Sequence, residues 1–439
     1  MTHDNTITSR EMSFFESTHQ EATIHLLSSP ICCWASATGP VTTDHLRSAM
    51  KTLHDRHPLL RARVDGETGQ YRFMLDVSID DIPLQEVELA EGQDFDSAIE
   101  LFMSGPFTGW DRTWGVCFVQ AADRSRWWVI IQTHHSITDG RSAFCLLDQL
   151  GEILGLLVAG KDVDTAPLEL PTAIEHQVDP PGTMDHWKKT AQAWADRIGE
   201  ISYWPVDETA DFKDRRSCNT FTVHDEDFTR RLTEACHANR TTVQGALASA
   251  VTRGIAAYLG HAVNIDTLTP VDLRRYATVE IDPREVACKI TCLDTGSFNI
   301  SSDSEPWQVA RDYLTTLNEQ LDAAFYPPLD FTAEDVTGGL QAWADVDGRH
   351  THGFCLTNTG LLHFDGDHGD VQFETMDVTA SCRFGGFPVL LSAYTYRGCL
   401  RCTYSWPMPL VSREHGEALS EAVESHLREM VDGDRSVTS

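Results

Sequence analysis

The sequence predicts an α+β protein, a mixed α/β sandwich built as two lobes. Three observations carry that prediction. Segments with the two-residue period of strands are interleaved with segments of helical period along the whole chain. The 439 residues exceed what one hydrophobic core organises, so two units of roughly 200 residues each are expected. Residues 162–185, DVDTAPLELPTAIEHQVDPPGTMD, hold four prolines and little periodicity, which suits a crossing between units. The boundary falls near 180, giving lobes 1–180 and 181–439.

After a polar start, SPICCWAS reads as a strand, and TTDHLRSAMKTLHDRHP as a helix with Leu46, Met50 and Leu53 on one face, stopped by Pro58. LLRARVD and YRFMLD flank the turn residues Gly66 to Gly69 and predict a hairpin; IPLQEVEL predicts another strand, and DSAIELFMS a helix. WGVCFVQAA and RWWVIIQT form a second expected hairpin. From Ser142, Phe144, Leu147, Leu150 and Leu154 recur at helical spacing up to Gly160. In the second lobe HWKKTAQAWADRI and the small-residue run VQGALASAVTRGIAAYL predict helices, and SCNTFTVHDEDF predicts strand into turn. VQFETMDV, PVLLSAYTY and LRCTYSW predict strands, and an acidic helix closes the chain.

A hydrophobic content of 41% with 23% charged residues describes a folded globular protein. The net charge of -32 argues against a nucleic-acid partner and against steering toward acidic membranes. No apolar run reaches the ~20 residues of a membrane span, and the first thirty residues lack a secretion signal. A cytoplasmic monomer is the expectation. The twelve cysteines are scattered through apolar runs and read as buried thiols. Cys399 with Cys402 and Cys288 with Cys292 do not make the paired ligand set of a structural zinc, so no metal is expected. The sequons at Asn239 and Asn299 carry no meaning in a chain that is not secreted.

The stretch IIQTHHSITDGRSAF joins an expected buried strand to an expected buried helix. Neighbouring residues leaving a strand point to opposite sides, so one of His134 and His135 should face a cleft and the other the packed side. Asp139, at the start of the helix, is placed to hold the turn through an ion pair or through backbone N–H groups. Gly140 permits close backbone approach or an unusual dihedral beside the positive end of the helix. Taken alone, the stretch also fits a histidine-rich turn with a capping Asp. A metal site of His135 and Asp139 lacks a third ligand nearby.

The pattern HHxxxDG between strand and helix resembles the signature of the superfamily of CoA-dependent acyltransferases and peptide-synthetase condensation domains. Three further segments resemble that superfamily in the same order: LHDRHPLLRARV at 53–64, TPVDLRRY at 269–276 and CLTNTG at 355–360. The wording PVDLR is most similar to the free-standing polyketide-associated, dimycocerosyl-transferase-like members. The resemblance implies two chloramphenicol-acetyltransferase-like lobes with an active-site tunnel between them. It implies His135 as general base, His134, Asp139, Gly140 and Arg274 as structural residues, with Asp139 and Arg274 paired, and Thr357 and Asn358 beside the channel.

The implied reaction is acyl transfer from a CoA or carrier-protein phosphopantetheine thioester to an acceptor hydroxyl, with no resident cofactor. Amide formation, or a non-catalytic member binding a carrier protein or polyketide-like ligand, are the alternatives. Carrier proteins are usually acidic, so docking one would need a local basic patch such as RHPLLRAR or Arg274-Arg275. RFGGF at 383–387 keeps only Phe-Gly of the plant-type DFGWG, which puts a role for Arg383 in doubt and leaves a glycine-rich bend as the plainer reading.

Overall fold

The chain is described by a computed structural model for residues 8–433, apart from 28, 29, 203, 342, 347 and all but four positions of 92–109. The helix expected over DSAIELFMS falls in that last interval and lies outside the described residues. The first lobe runs β1 (Ser9–Glu11), α1 (Phe14–Leu26), β2 (Pro30–Thr38), α2 (Thr43–Arg56), β3 (Arg63–Asp65), β4 (Arg72–Met74), β5 (Leu84–Glu88), β6 (Trp114–Gln120), β7 (Trp127–His134) and α3 (Gly140–Val158). There follow α4 (Met184–Ile198), β8 (Arg216–Val223), α5 (Glu226–Ala238), α6 (Val243–Leu259), β9 (Val263–Asp272), β10 (Ile290–Ile300), α7 (Pro306–Asp322) and α8 (Ala333–Gln341). The chain ends with β11 (Phe354–Leu361), β12 (Asp367–His368), β13 (Val371–Ala380), β14 (Leu390–Tyr396), β15 (Cys399–Met408) and α9 (Arg413–Gly433).

Two six-stranded sheets carry the lobes, in the orders β12-β13-β2-β7-β6-β5 and β10-β9-β11-β14-β15-β8, and β1-β4-β3 form a small third sheet. Within the first sheet β6 and β7 make the expected antiparallel hairpin, in register from Trp114 opposite Thr133 to Gln120 opposite Trp127. Both strands are buried nearly throughout, so apolar residues are favoured on both faces and the run reads without alternation. The β3–β4 hairpin turns through Gly66 (φ 106°) and Gly69 (φ 76°), conformations that side chains with a Cβ resist.

Each sheet has its own core. In the first, Leu46, Met50 and Leu53 of α2 meet Phe144, Leu147, Leu150 and Leu154 of α3 over β2 and β7. In the second, α6 lies against α7 and α9, and its small residues allow the approach: a Cβ on Gly254 would sit 3.2 Å from a methyl of Val423. No helix among the described residues is long and apolar enough to cross a membrane.

The sheets do not follow a division at residue 180 throughout. After β11 the chain leaves the second sheet, β13 pairs antiparallel with β2 from Gln372 opposite Thr38 to Ala380 opposite Ile31, and the chain then returns as β14. Val371, Phe373 and Met376 thereby enter the first core. Burying those side chains and pairing an otherwise open edge both favour the crossing. The alternation in VQFETMDV specifies a half-buried strand without naming the sheet it joins.

Candidate active site

β7 delivers the two histidines to opposite surroundings. His134 is fully buried. Its Nδ1 accepts from the Ser136 N–H at 3.1 Å and lies 2.6 Å from Ser136 Oγ. An accepting Nδ1 puts the proton on Nε2, which donates to Thr23 Oγ1 at 2.9 Å, while the Thr23 hydroxyl donates to the His19 carbonyl at 2.9 Å. Burial, with the neighbouring His135, pushes the His134 pKa down to about 3. It is a neutral brace tied to α1.

His135 opens the short 3-10 turn His135–Ile137 and lines a cavity between the lobes. Burial lowers its pKa, opposed by its own carbonyl, by Asp139 and by the Thr138 backbone. Its Nδ1 is buried without a regular hydrogen bond. That leaves Nε2 as the nitrogen able to act toward the cavity. The ring of His19, from α1, lies on the ring of His135 with centroids 3.9 Å apart and planes 7° apart.

Asp139 fills both roles expected of it. Oδ1 accepts from the Ser142 N–H at 2.8 Å and caps α3, while Oδ2 accepts from Arg274 Nη1 at 2.8 Å and from the Lys289 N–H at 2.9 Å. Arg274 also donates to Asp272 at 3.0 Å, to Ser142 Oγ at 2.7 Å and to the Ala287 carbonyl at 3.1 Å. Burial alone would raise the Asp139 carboxyl, but the Arg274 guanidinium and the backbone donors hold it below the usual carboxylate range. The pair joins the start of α3 to the ends of β9 and β10, and so joins lobe to lobe. Gly140 serves close approach rather than an unusual dihedral: a Cβ there would lie 3.3 Å from Thr359 Oγ1.

On β11, Thr357 and Thr359 line the cavity. Asn358 is not among the lining residues. Its Oδ1 accepts from the Gly360 N–H at 2.9 Å, at a bulge in the pairing with β14. Strand alternation explains the difference from the expected channel position, since a residue between two cavity-facing neighbours points the other way.

The cavity beside His135 holds about 130 Å³ and is walled by both sheets: Ile31, Val378 and Ala380 from the first, Leu268, Ile290, Cys355 and Leu390 from the second. Phe384 and Phe387 of RFGGF close it, and Arg383 turns away to donate to the Phe212 carbonyl at 3.0 Å. Leu268, Cys292 and Trp343 also wall a wider chamber of about 900 Å³ that adds Phe14, Trp187, Asp294 and Asp335. Cys292 lines both spaces, and Asp294, two residues on along β10, lines the wider one. Burial and Asp266 push the Asp294 carboxyl above the usual carboxylate range.

Among the described residues three clusters offer potential metal-ligand atoms within 4.8 Å of one another, and two of them lie at these spaces. The first is His19 with His135 and Cys288, the second Asp266 with Asp294 and His352, while His224 with Cys402 and Glu424 lies away from both. The parallel rings of the first cannot turn both in-plane lone pairs to one ion. In the second, Asp266 already accepts from Trp194 Nε1 at 3.0 Å and pairs with His352 Nδ1 at 2.8 Å.

Among the cavity residues that sequence reasoning did not single out is His19. His19 lies in the opening polar run and carries no motif; a four-residue spacing to Thr23 is its one local signal.

The condensation-domain family model matches residues 11–271, more than half of the chain. No curated protein sequence matches significantly. Among solved structures, the chain is similar to polyketide synthase associated protein 5 from Mycobacterium tuberculosis, with TM-score 0.68 and 15% identity, covering 96% of this chain and 97% of that one. It is similar to the trichothecene 15-O-acetyltransferase from Fusarium sporotrichioides, with TM-score 0.74 and 10% identity over 96% and 95% of the two chains. A third is the starter condensation domain of rhizomide synthetase, solved with C8-CoA and Leu-SNAC, with TM-score 0.66 and 15% identity over 97% and 94%. At these identities the likeness is one of fold.

Proposed function

Because the chain belongs to the condensation-domain family, we propose that it is an acyltransferase moving an acyl group from a CoA or carrier-protein phosphopantetheine thioester to an acceptor hydroxyl, with His135 as general base. One observation carries the reading. Of the two motif histidines, His135 alone lines the cavity shared by both sheets, while His134 and Asp139 are occupied in holding its turn.

His135 Nε2 takes the acceptor's hydroxyl proton as the oxygen attacks the thioester carbon. The carbonyl electrons move to oxygen and then return, the C–S bond breaks, and the thiolate receives the proton from the imidazolium. A thiol of pKa about 8.5 leaves readily, so no covalent acyl-enzyme is needed. Thr357, Thr359 and Gly140 line the same space, and their hydroxyl and backbone N–H groups are the candidate donors for the transient oxyanion. An amine acceptor would follow the same steps to an amide.

The fold shared with an O-acetyltransferase and with a domain solved with an acyl-CoA supports the substrate classes. Incubating the protein with acyl-CoAs of increasing length and a panel of alcohols and amines, and measuring free thiol, tests the proposal. Release should require an acceptor and should be lost in His135→Ala. A His135→Ala protein releasing thiol at the wild-type rate would refute it.

A further inference from the structure

Both motif histidines are held from one helix. His19 and Thr23 lie one turn apart on α1 and share a face. Thr23 Oγ1 meets His134 Nε2 at 2.9 Å, and the His19 ring covers the His135 ring. His19 is itself supported, with the rings of Trp343 and Phe15 centred 5.1 Å and 6.5 Å away.

His135 has little hold of its own. The torsion that turns an imidazole about its Cβ–Cγ bond is broad and soft, and the buried Nδ1 lacks a regular hydrogen bond that would fix it. His134, by contrast, is fixed at both nitrogens. The contact that sets the plane of the His135 ring is therefore the stacked ring above it.

We infer that His19 is a positioning residue for His135: its ring fixes the plane of the base and shields one face from water, so that Nε2 meets the cavity in one orientation. Only the kinetic consequence rests on the proposed acyl transfer; the geometric claim stands apart from it. The groups facing His135 are His19 from α1, His134 from β7, Asp139 at the cap of α3 with Arg274 behind it, and Cys288 ahead of β10. Burial keeps His19 neutral by pushing its pKa well below the ordinary value.

The role belongs to the ring and not to its nitrogens, so a benzene ring should replace it. His19→Ala and His19→Phe are compared by melting temperature, by NMR titration of the His135 imidazole and by thiol release. In His19→Ala, with one face of His135 open to water, its pKa should rise toward the ordinary 6.5 and the acidic limb of the rate profile should move up with it. There kcat should fall about 10- to 100-fold with KM changed less than about twofold, the scale of a misplaced reacting group. His19→Phe should keep the low titration and recover most of kcat.

A folded His19→Ala protein with wild-type kcat and titration overturns the inference, and so does a folded His19→Phe protein no better than His19→Ala. If wild-type protein releases no thiol with any donor, the acyl-transfer reading fails, and the titration alone decides the stack. An unmoved His135 pKa in His19→Ala then refutes it.

Discussion

His134 and His135 are adjacent in sequence and opposite in circumstance. One has both ring nitrogens bonded inside the first lobe; the other has a stacked neighbour, a cavity and few bonds. Asp139 belongs with the first kind, with a backbone donor on Oδ1 and a guanidinium and a backbone donor on Oδ2. Reactivity is left where polar atoms are incompletely satisfied, and the completeness of the surroundings is what makes that gap persist.

Removing each member of this contrast should give a graded series. The largest effect is expected at His135, where loss of the general base should lower kcat by about 10²–10⁴-fold at an almost unchanged melting temperature. Asp139→Ala should lower both activity and stability. Arg274 would keep Asp272 but lose its buried carboxylate partner, and the Ser142 and Lys289 N–H groups would lose their acceptor, at a cost of about 1–3 kcal/mol for each buried group left unsatisfied, read by denaturant unfolding. A fully active and equally stable Asp139→Ala protein would show that the brace is dispensable.

Acid should act through His134 in a defined window. Its folded pKa of about 3 lies below its unfolded value near 6.5, so the unfolded chain binds the extra proton. The stabilisation is complete above about pH 6.5 and declines as pH falls toward about 3, by up to about 1.4 kcal/mol per unit. Unfolding free energies of wild type and His134→Gln measured across that range should diverge upward in pH, and parallel curves would remove His134 as the cause. The smallest effects belong to β11. Thr357→Val, which changes the cavity wall, should raise KM severalfold, whereas Asn358→Ala should alter melting more than KM; the reverse order would return Asn358 to the channel.

Several elements were legible because their cause is local. The β6–β7 hairpin, the α2 face of Leu46, Met50 and Leu53, and the small-residue run of α6 each announce themselves by period and by the residues that end them. The motif residues were legible by resemblance, and strand geometry separated the two histidines. α1 was not legible, because its run FFESTHQEAT is polar and reads as a solvated start. It is buried almost throughout, with Glu16 bonded to Arg10 at 2.6 Å and Glu21 to Tyr71 at 2.6 Å. Polar side chains that find partners in an interior erase the hydrophobic stripe that would betray a buried helix. The placement of Phe384 and Phe387 was hidden for another reason: a glycine bend fixes no direction until the surrounding strands do.

The crossing of β13 into the first sheet has a consequence for biosynthesis. β2 finishes at residue 38 and its partner starts at 371, so roughly 330 residues must be made before that edge is covered. At ribosomal rates of about 5–20 residues per second, the interval is roughly 15–70 seconds. Throughout it a nascent chain carries the open edge of β2, rich in buried apolar side chains, as a template for pairing with other chains. Stalling between those two points should release aggregation-prone fragments, and holdase chaperones should engage the chain most strongly in that window.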